Sequence, residues 1–117
     1  MKLRIRSKFW LEDERGRPLL GGGRQKILEK IDELGSIQAA ARDLNMSYRA
    51  VWGKIKTTEE RSGIKLLETV PGGGRNRGAR LTPQAKDLLT LFQQLHEQGN
   101  DQADALFKKL FGDILKG

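Results

Sequence analysis

Three features of the 117-residue sequence predict a mainly α fold with small β elements: a winged helix-turn-helix with an N-terminal strand or hairpin and a long C-terminal dimerisation helix. Two short helical apolar patterns, over residues 37–44 and 48–61, flank a tight polar turn. A glycine- and arginine-rich stretch then separates two strand-like runs, and Thr82 with Pro83 opens a long amphipathic pattern. The predicted order is β, α, α, α, β, wing, β, α.

Leu3, Ile5 and Ser7 alternate with Lys2, Arg4, Arg6 and Lys8, the period-2 pattern of a half-buried strand, so residues 3–12 are expected to be β. Turn residues 13–16 and the apolar pair Leu19 and Leu20 after Pro18 predict a hairpin. Beyond the first triple glycine, Ile27, Leu28, Ile31 and Leu34 mark one face of a helix that Gly35 ends. Ser36 caps the next helix, whose apolar positions are Ile37, Ala40, Ala41 and Leu44. Asn45 suits a left-handed turn and Ser47 caps the third helix, with Val51, Ile55 and Thr58 inward and Gly63 at its end. Residues 66–70 and 79–81 read as strands around a flexible glycine-rich turn. From Thr82 and Pro83, an N-cap with proline at the first helical position, the 4-3 spacing runs through Leu88, Phe92, Leu95, Leu106 and Leu110. One long helix or a break near Gly99 both fit that stretch. The division expected is a winged core over residues 1–81, with a recognition helix at about 47–62 and a wing at about 66–81, followed by a dimerisation segment over 82–117.

Composition narrows the chemistry. The length suits one domain. With 22 Lys and Arg against 15 Asp and Glu, the net charge is +7, which favours a polyanionic partner. Residues 1–81 carry 18 basic and 10 acidic side chains, while residues 82–117 carry 4 and 5, so the basic surface belongs to the winged part. Cysteine is absent and His96 is the single histidine, which removes disulfides, thiolate metal sites and most histidine-based catalysis. Neither triple glycine carries the lysine and hydroxyl residue of a phosphate loop. The expectation is a cytoplasmic, non-enzymatic protein without a membrane span or metal. Carboxylates such as Glu59 and Glu60 are expected to be solvated, and His96 to lie at the surface or an interface without a ligand.

Placing residues 48–58 at 100° intervals sets Arg49, Gly53, Lys56 and Thr57 opposite the inward stripe. Those four are the candidate groove face, with Arg49 near the end that touches bases and Gly53 permitting close approach. Tyr48 and Trp52 fall on the border, where core and groove roles stay equally open. Ser36, Ser47 and the helix N-terminal amides suit phosphates, and Arg75 and Arg77 arm the wing. The apolar excess of Leu88, Phe92, Leu95, Leu106 and Leu110 predicts a homodimer seam, although packing on the chain's own core is the competing use.

The run Gly35, Ser36, Ile37, Gln38, Ala39, Ala40, then Leu44, Asn45, Met46, Ser47, Tyr48, Arg49, Ala50, Val51, Trp52 resembles the N-terminal DNA-binding domain of ModE-type, molybdate-responsive bacterial regulators. Gly72 to Gly74, Ala79, Leu81 and Thr82 resemble the wing and last-helix start of that family. Ile55, Lys56, Glu59, Glu60, Gly63, Lys65, Leu66 and Leu67 are similar to the related winged domain of LysR-type regulators. The resemblance covers roughly residues 23–95. It implies a homodimeric, sequence-specific transcription regulator on palindromic double-stranded DNA, acting in molybdenum metabolism or transport. It also implies DNA contacts from Ser47, Tyr48, Arg49 and Trp52, and a basic wing in general. ModE-type regulators continue into an oxyanion-binding domain, whereas this sequence stops at Gly117, so no molybdate or tungstate cofactor is expected here. The rival expectation is a winged-helix protein-interaction module, or the partner subunit of a separate effector-sensing protein.

Overall fold

The computed structural model describes residues 2–70 and 78–114. It contains β1 (Leu11–Glu12), β2 (Pro18–Leu20), α1 (Gly22–Leu34), α2 (Ile37–Asp43), α3 (Tyr48–Ser62), β3 (Leu67–Val70), β4 (Gly78–Leu81) and α4 (Pro83–Phe111). Two antiparallel two-stranded ladders form, β1 with β2 and β3 with β4. In the second, Leu67 faces Leu81 and Val70 faces Gly78. The chain divides into two compact units, Trp10–Leu89 and Met1–Phe9 together with Thr90–Gly117.

Local capping chemistry sets the helix ends of the first unit. Gly35 and Gly63 close α1 and α3 in the left-handed region, at φ 76° and 73°, and each donates its N–H back to a carbonyl of the last turn. Asn45 takes the same conformation at φ 58°, which bends the chain between α2 and α3. The Ser36 and Ser47 hydroxyls accept from Ala39 N at 2.9 Å and Ala50 N at 3.0 Å, satisfying helix N–H groups that otherwise lack partners. Thr82 serves two elements. Its hydroxyl accepts from Ala85 N at 3.1 Å and donates to Lys65 O at 2.6 Å, so the start of α4 is tied to the strand side of the unit.

The core of this unit collects Leu20, Ile27, Leu28, Ile31, Ala40, Ala41, Val51, Ile55, Leu66, Ala79, Leu81, Ala85 and Leu89, all buried. Burying each large aliphatic side chain stabilises by roughly 1.5–3 kcal/mol before chain entropy is counted. Leu34, expected on the inward face of α1, is instead exposed. It occupies the last helical position, where the chain turns away through Gly35 and no further turn extends the buried face.

The N-terminal strand is shorter than its alternation predicts. Ladder pairing is confined to Leu11 and Glu12, opposite Leu20 and Pro18 with a register irregularity between, while Leu3 and Ile5 are exposed. Alternation makes a residue fit for a sheet but supplies no partner edge, and β2 offers three residues. Residues 2–9 belong instead to the second unit.

In that unit α4 runs unbroken through Gly99 and Asn100, which decides for one helix over two. Phe9 explains the glycine: a Cβ at position 99 would lie 2.6 Å from the Phe9 ring. His96 meets Phe9 edge-on at 5.6 Å and Phe92 at 4.9 Å, and its Nε2 contacts Phe9 O at 3.0 Å. Ser7 donates to Asn100. His96 is therefore a half-buried packing residue that fastens the N-terminal segment to the helix.

Alanine is the better helix former by about 1 kcal/mol, yet Gly99→Ala is expected to lower the melting temperature because the ring has to move. In a Phe9→Ala background the same change is expected to raise it. Thermal unfolding followed by circular dichroism reads both signs.

Candidate nucleic-acid interface

The stripe Val51, Ile55 and Thr58 is buried, and this fixes the rotation of α3 about its axis. Thr58 adds polar definition: its hydroxyl donates to Leu19 O at 3.3 Å and accepts from Arg24 Nε at 3.0 Å, joining α3 to β2 and α1. Arg61 donates to Pro18 O at 3.1 Å on the same side. Burial, and then the nearby Arg61 charge, lower the Arg24 guanidinium from its usual pKa.

With that rotation fixed, the opposite face presents Tyr48, Arg49, Trp52 and Lys56, all exposed, with Gly53 and Thr57 half-exposed between them. A Cβ at Gly53 would meet nothing within 4 Å. The fold does not need a glycine there, and its cost of about 1 kcal/mol in a helix interior has no return inside the chain. Thr57 does not offer a free donor, because its hydroxyl bonds Gly53 O at 2.7 Å. Ser36 is half-buried and Ser47 exposed; each accepts a backbone N–H and keeps its own proton for an external acceptor.

Between α3, the start of α2 and the β3–β4 ladder lies an open cleft of about 720 Å³. Tyr48, Trp52 and Lys56 form one wall, Lys65, Leu67 and Thr69 the other, and Ser36 and Gln38 one end. The structure thus brings Ser36, Tyr48, Trp52 and Lys56 to one concave surface. It adds Gln38 at the start of α2, and Lys65 and Thr69, whose wall exists only once β3 pairs; the sequence pattern assigned none of the three a site role. Tyr48 and Trp52, placed on a border by periodicity, are 53% and 45% exposed and so leave the core to others. Arg75 and Arg77 lie outside the described residues.

Glu59 corrects the expectation of a solvated carboxylate. Its Oε2 accepts from Leu66 N at 2.7 Å and Leu67 N at 3.4 Å, and its Oε1 pairs with Lys56 Nζ at 3.1 Å. One side chain on α3 thereby holds the start of β3 and draws Lys56 back so that its ammonium lies 5.8 Å from the Trp52 ring centre. Burial raises the carboxyl, but the Leu66 N–H, Lys56 and the Leu67 N–H together outweigh it and hold it below its ordinary value of 4.5. Glu60, one residue on, is exposed as expected.

Among the described residues no group of three His, Asp or Glu side chains stands ready for a metal, and no helix is long and apolar enough to cross a membrane. On α4, Phe92 is 2% exposed within a single chain, which removes it from the expected seam, and Leu88 is half-buried. Leu95, Leu106 and Leu110 remain exposed, joined by Leu91, Phe111 and Ile114.

Residues 23–86 match the family described as bacterial regulatory helix-turn-helix protein, lysR family. Similar proteins include the molybdenum-pterin-binding protein MopA of Rhodobacter capsulatus, 35% identical over 77 residues, covering 66% of this chain and 29% of that protein. The transcriptional regulator ModE of Haemophilus influenzae is 35% identical over 72 residues, covering 62% and 28%. The chain thus spans less than a third of the length of these curated relatives. Among solved structures, ArgP from Mycobacterium tuberculosis superposes with a TM-score of 0.51 at 28% identity over 73% of this chain and 30% of that one. The CbnR DBD–DNA complex gives 0.55 at 24% identity over 71% and 90%, a likeness of fold.

Glu59→Ala is expected to destabilise the protein by about 1–3 kcal/mol, leaving two strand N–H groups without a partner. Because the folded-state pKa is depressed, the contribution of Glu59 is present above the ordinary value of 4.5 and lost as pH falls through the lower folded value. Urea unfolding across pH 3–7 therefore shows a shallower acid loss for Glu59→Gln than for the parent.

Proposed function

We propose, from the premise that this chain belongs to the lysR family of bacterial regulatory helix-turn-helix proteins, that it is a homodimeric, sequence-specific DNA-binding transcription regulator. The observation that carries this reading is the fixed rotation of α3, which turns Arg49, Trp52, Gly53 and Lys56 outward above a cleft bordered by a second lysine wall. A helix about 10–12 Å across fits the major groove of duplex DNA. Arg49, on the first turn of α3, is positioned for a bidentate pair with guanine, and the bare backbone at Gly53 lets the helix sit close. Ser36, Ser47, Lys65 and Thr69 are suited to the phosphates on either side, and the wing arginines Arg75 and Arg77 to the backbone or minor groove.

Exposed apolar residues of α4 support the second copy. Leu95, Leu106 and Leu110 expose 43%, 54% and 62% of their surface along an amphipathic helix, an apolar face that a second copy would cover. A two-fold seam along that face buries it and matches a palindromic site. The molybdenum in the names of relatives such as MopA and the molybdenum transport protein ModE of Herbaspirillum seropedicae supports molybdenum metabolism or transport as the regulated process. A cytoplasmic location follows from a DNA target.

Fluorescence anisotropy on promoter DNA from molybdenum-transport genes, against scrambled DNA over a salt series, is expected to show preference for the former. The logarithm of the affinity falls with the logarithm of salt by roughly 0.9 per phosphate contacted. Arg49→Ala is expected to cost about 1–3 kcal/mol and relax preference at one base pair. Equal binding of both DNAs by the parent would contradict sequence-specific regulation. Separately, Leu106→Glu with Leu110→Glu is expected to turn a dimer into a folded monomer in sedimentation velocity.

A further inference from the structure

We infer that Tyr48 and Trp52 form an apolar reader of thymine 5-methyl groups, and that this contact, rather than hydrogen bonding alone, sets much of the sequence preference of α3. The inference rests on the reading of α3 as the helix that enters the major groove. Beyond the Arg49 guanidinium, the Tyr48 hydroxyl and the Trp52 indole N–H, the outward face of α3 offers few available hydrogen-bonding groups. Thr57 has its hydroxyl proton on Gly53 O. Lys56 is held by Glu59, and its ammonium lies over the Trp52 ring at the edge of the face. Gly53 has no side chain, and Arg49 is the exposed cation left on the first turn.

What the face does offer is aromatic surface. Tyr48 and Trp52 stand four residues apart, hence one above the other on the helix, and are 53% and 45% exposed. Both border the cleft, with Ile55 and Leu67 also lining it. Leaving two large aromatic side chains in water is unfavourable, and the chain makes no use of the glycine beside Trp52. In the major groove the four base-pair orientations differ mainly in donors and acceptors, and the one apolar group presented is the C5-methyl of thymine. A flat aromatic edge next to a bare glycine backbone fits that group. A stacked, flipped-out base is the competing occupant of an aromatic pair, but it requires a single strand or an opened duplex.

The test uses the whole chain and a duplex selected by it from a random pool. Each thymine of the selected duplex is replaced in turn by deoxyuridine, which removes one methyl and nothing else, and affinity is measured by anisotropy. The expected result is a loss of about fourfold at one or two clustered positions, the worth of burying one methyl. That loss is expected to vanish in Trp52→Ala, or in Tyr48→Ala for a neighbouring position, with helix content checked by circular dichroism. A selected duplex that tolerates deoxyuridine everywhere overturns the inference while leaving DNA recognition standing. Tighter binding to the single strand than to the duplex overturns it in favour of base stacking. Failure to select any sequence overturns the reading of α3 on which it rests.

Discussion

Burial of Val51, Ile55 and Thr58 is the constraint on which the rest of the proposed interface depends. A helix that lies on a surface is free to roll until its side chains lock, and here three inward residues stop the roll. Thr58 sharpens the stop, since a buried hydroxyl has to find partners and finds both Leu19 O and the Arg24 guanidinium. Every outward residue of α3 takes its place from this. A shift by one residue, about 100°, would carry Trp52 into the core and a buried aliphatic side chain into water.

Glu59 extends the same constraint to the wing side. It belongs to α3 but satisfies two N–H groups at the start of β3, so the strand wall of the cleft is held to the helix by a charged acceptor. Such bonds are stronger than neutral ones and lose most when one partner is removed. Its second oxygen holds Lys56 near Trp52. The geometry of the cleft and the direction of its nearest cation are thus set together. Thr82 plays the matching part at the other end of the hairpin, joining Lys65 O to the first turn of α4.

Features that depend on neighbours in sequence were legible before folding. Gly35, Asn45 and Gly63 each occupy the left-handed position expected of them, and Ser36, Ser47 and Thr82 each cap the helix they precede. The inward stripe of α3 followed from the 3.6-residue period. Features that depend on distant partners were not legible. The alternation of residues 3–8 promised a strand whose partner edge is missing, Glu59 looked solvated because its strand lies seven residues away, and Gly99 looked like a helix breaker because Phe9 lies ninety residues away. Tyr48 and Trp52 fell between, since period alone puts them on a border and the depth to which Val51, Ile55 and Thr58 are buried leaves both exposed. The wing arginines Arg75 and Arg77 were legible as charge alone.

The central claim is that the outward face of α3 enters the major groove. Dimethyl sulfate footprinting on a saturated, selected duplex reads it directly, because this reagent methylates guanine N7, which lies in that groove. The fold predicts protection of guanine N7 in two patches a whole number of helical turns apart, with the patches weakened by Arg49→Ala. Saturating binding that leaves every guanine N7 as reactive as in free DNA would contradict it.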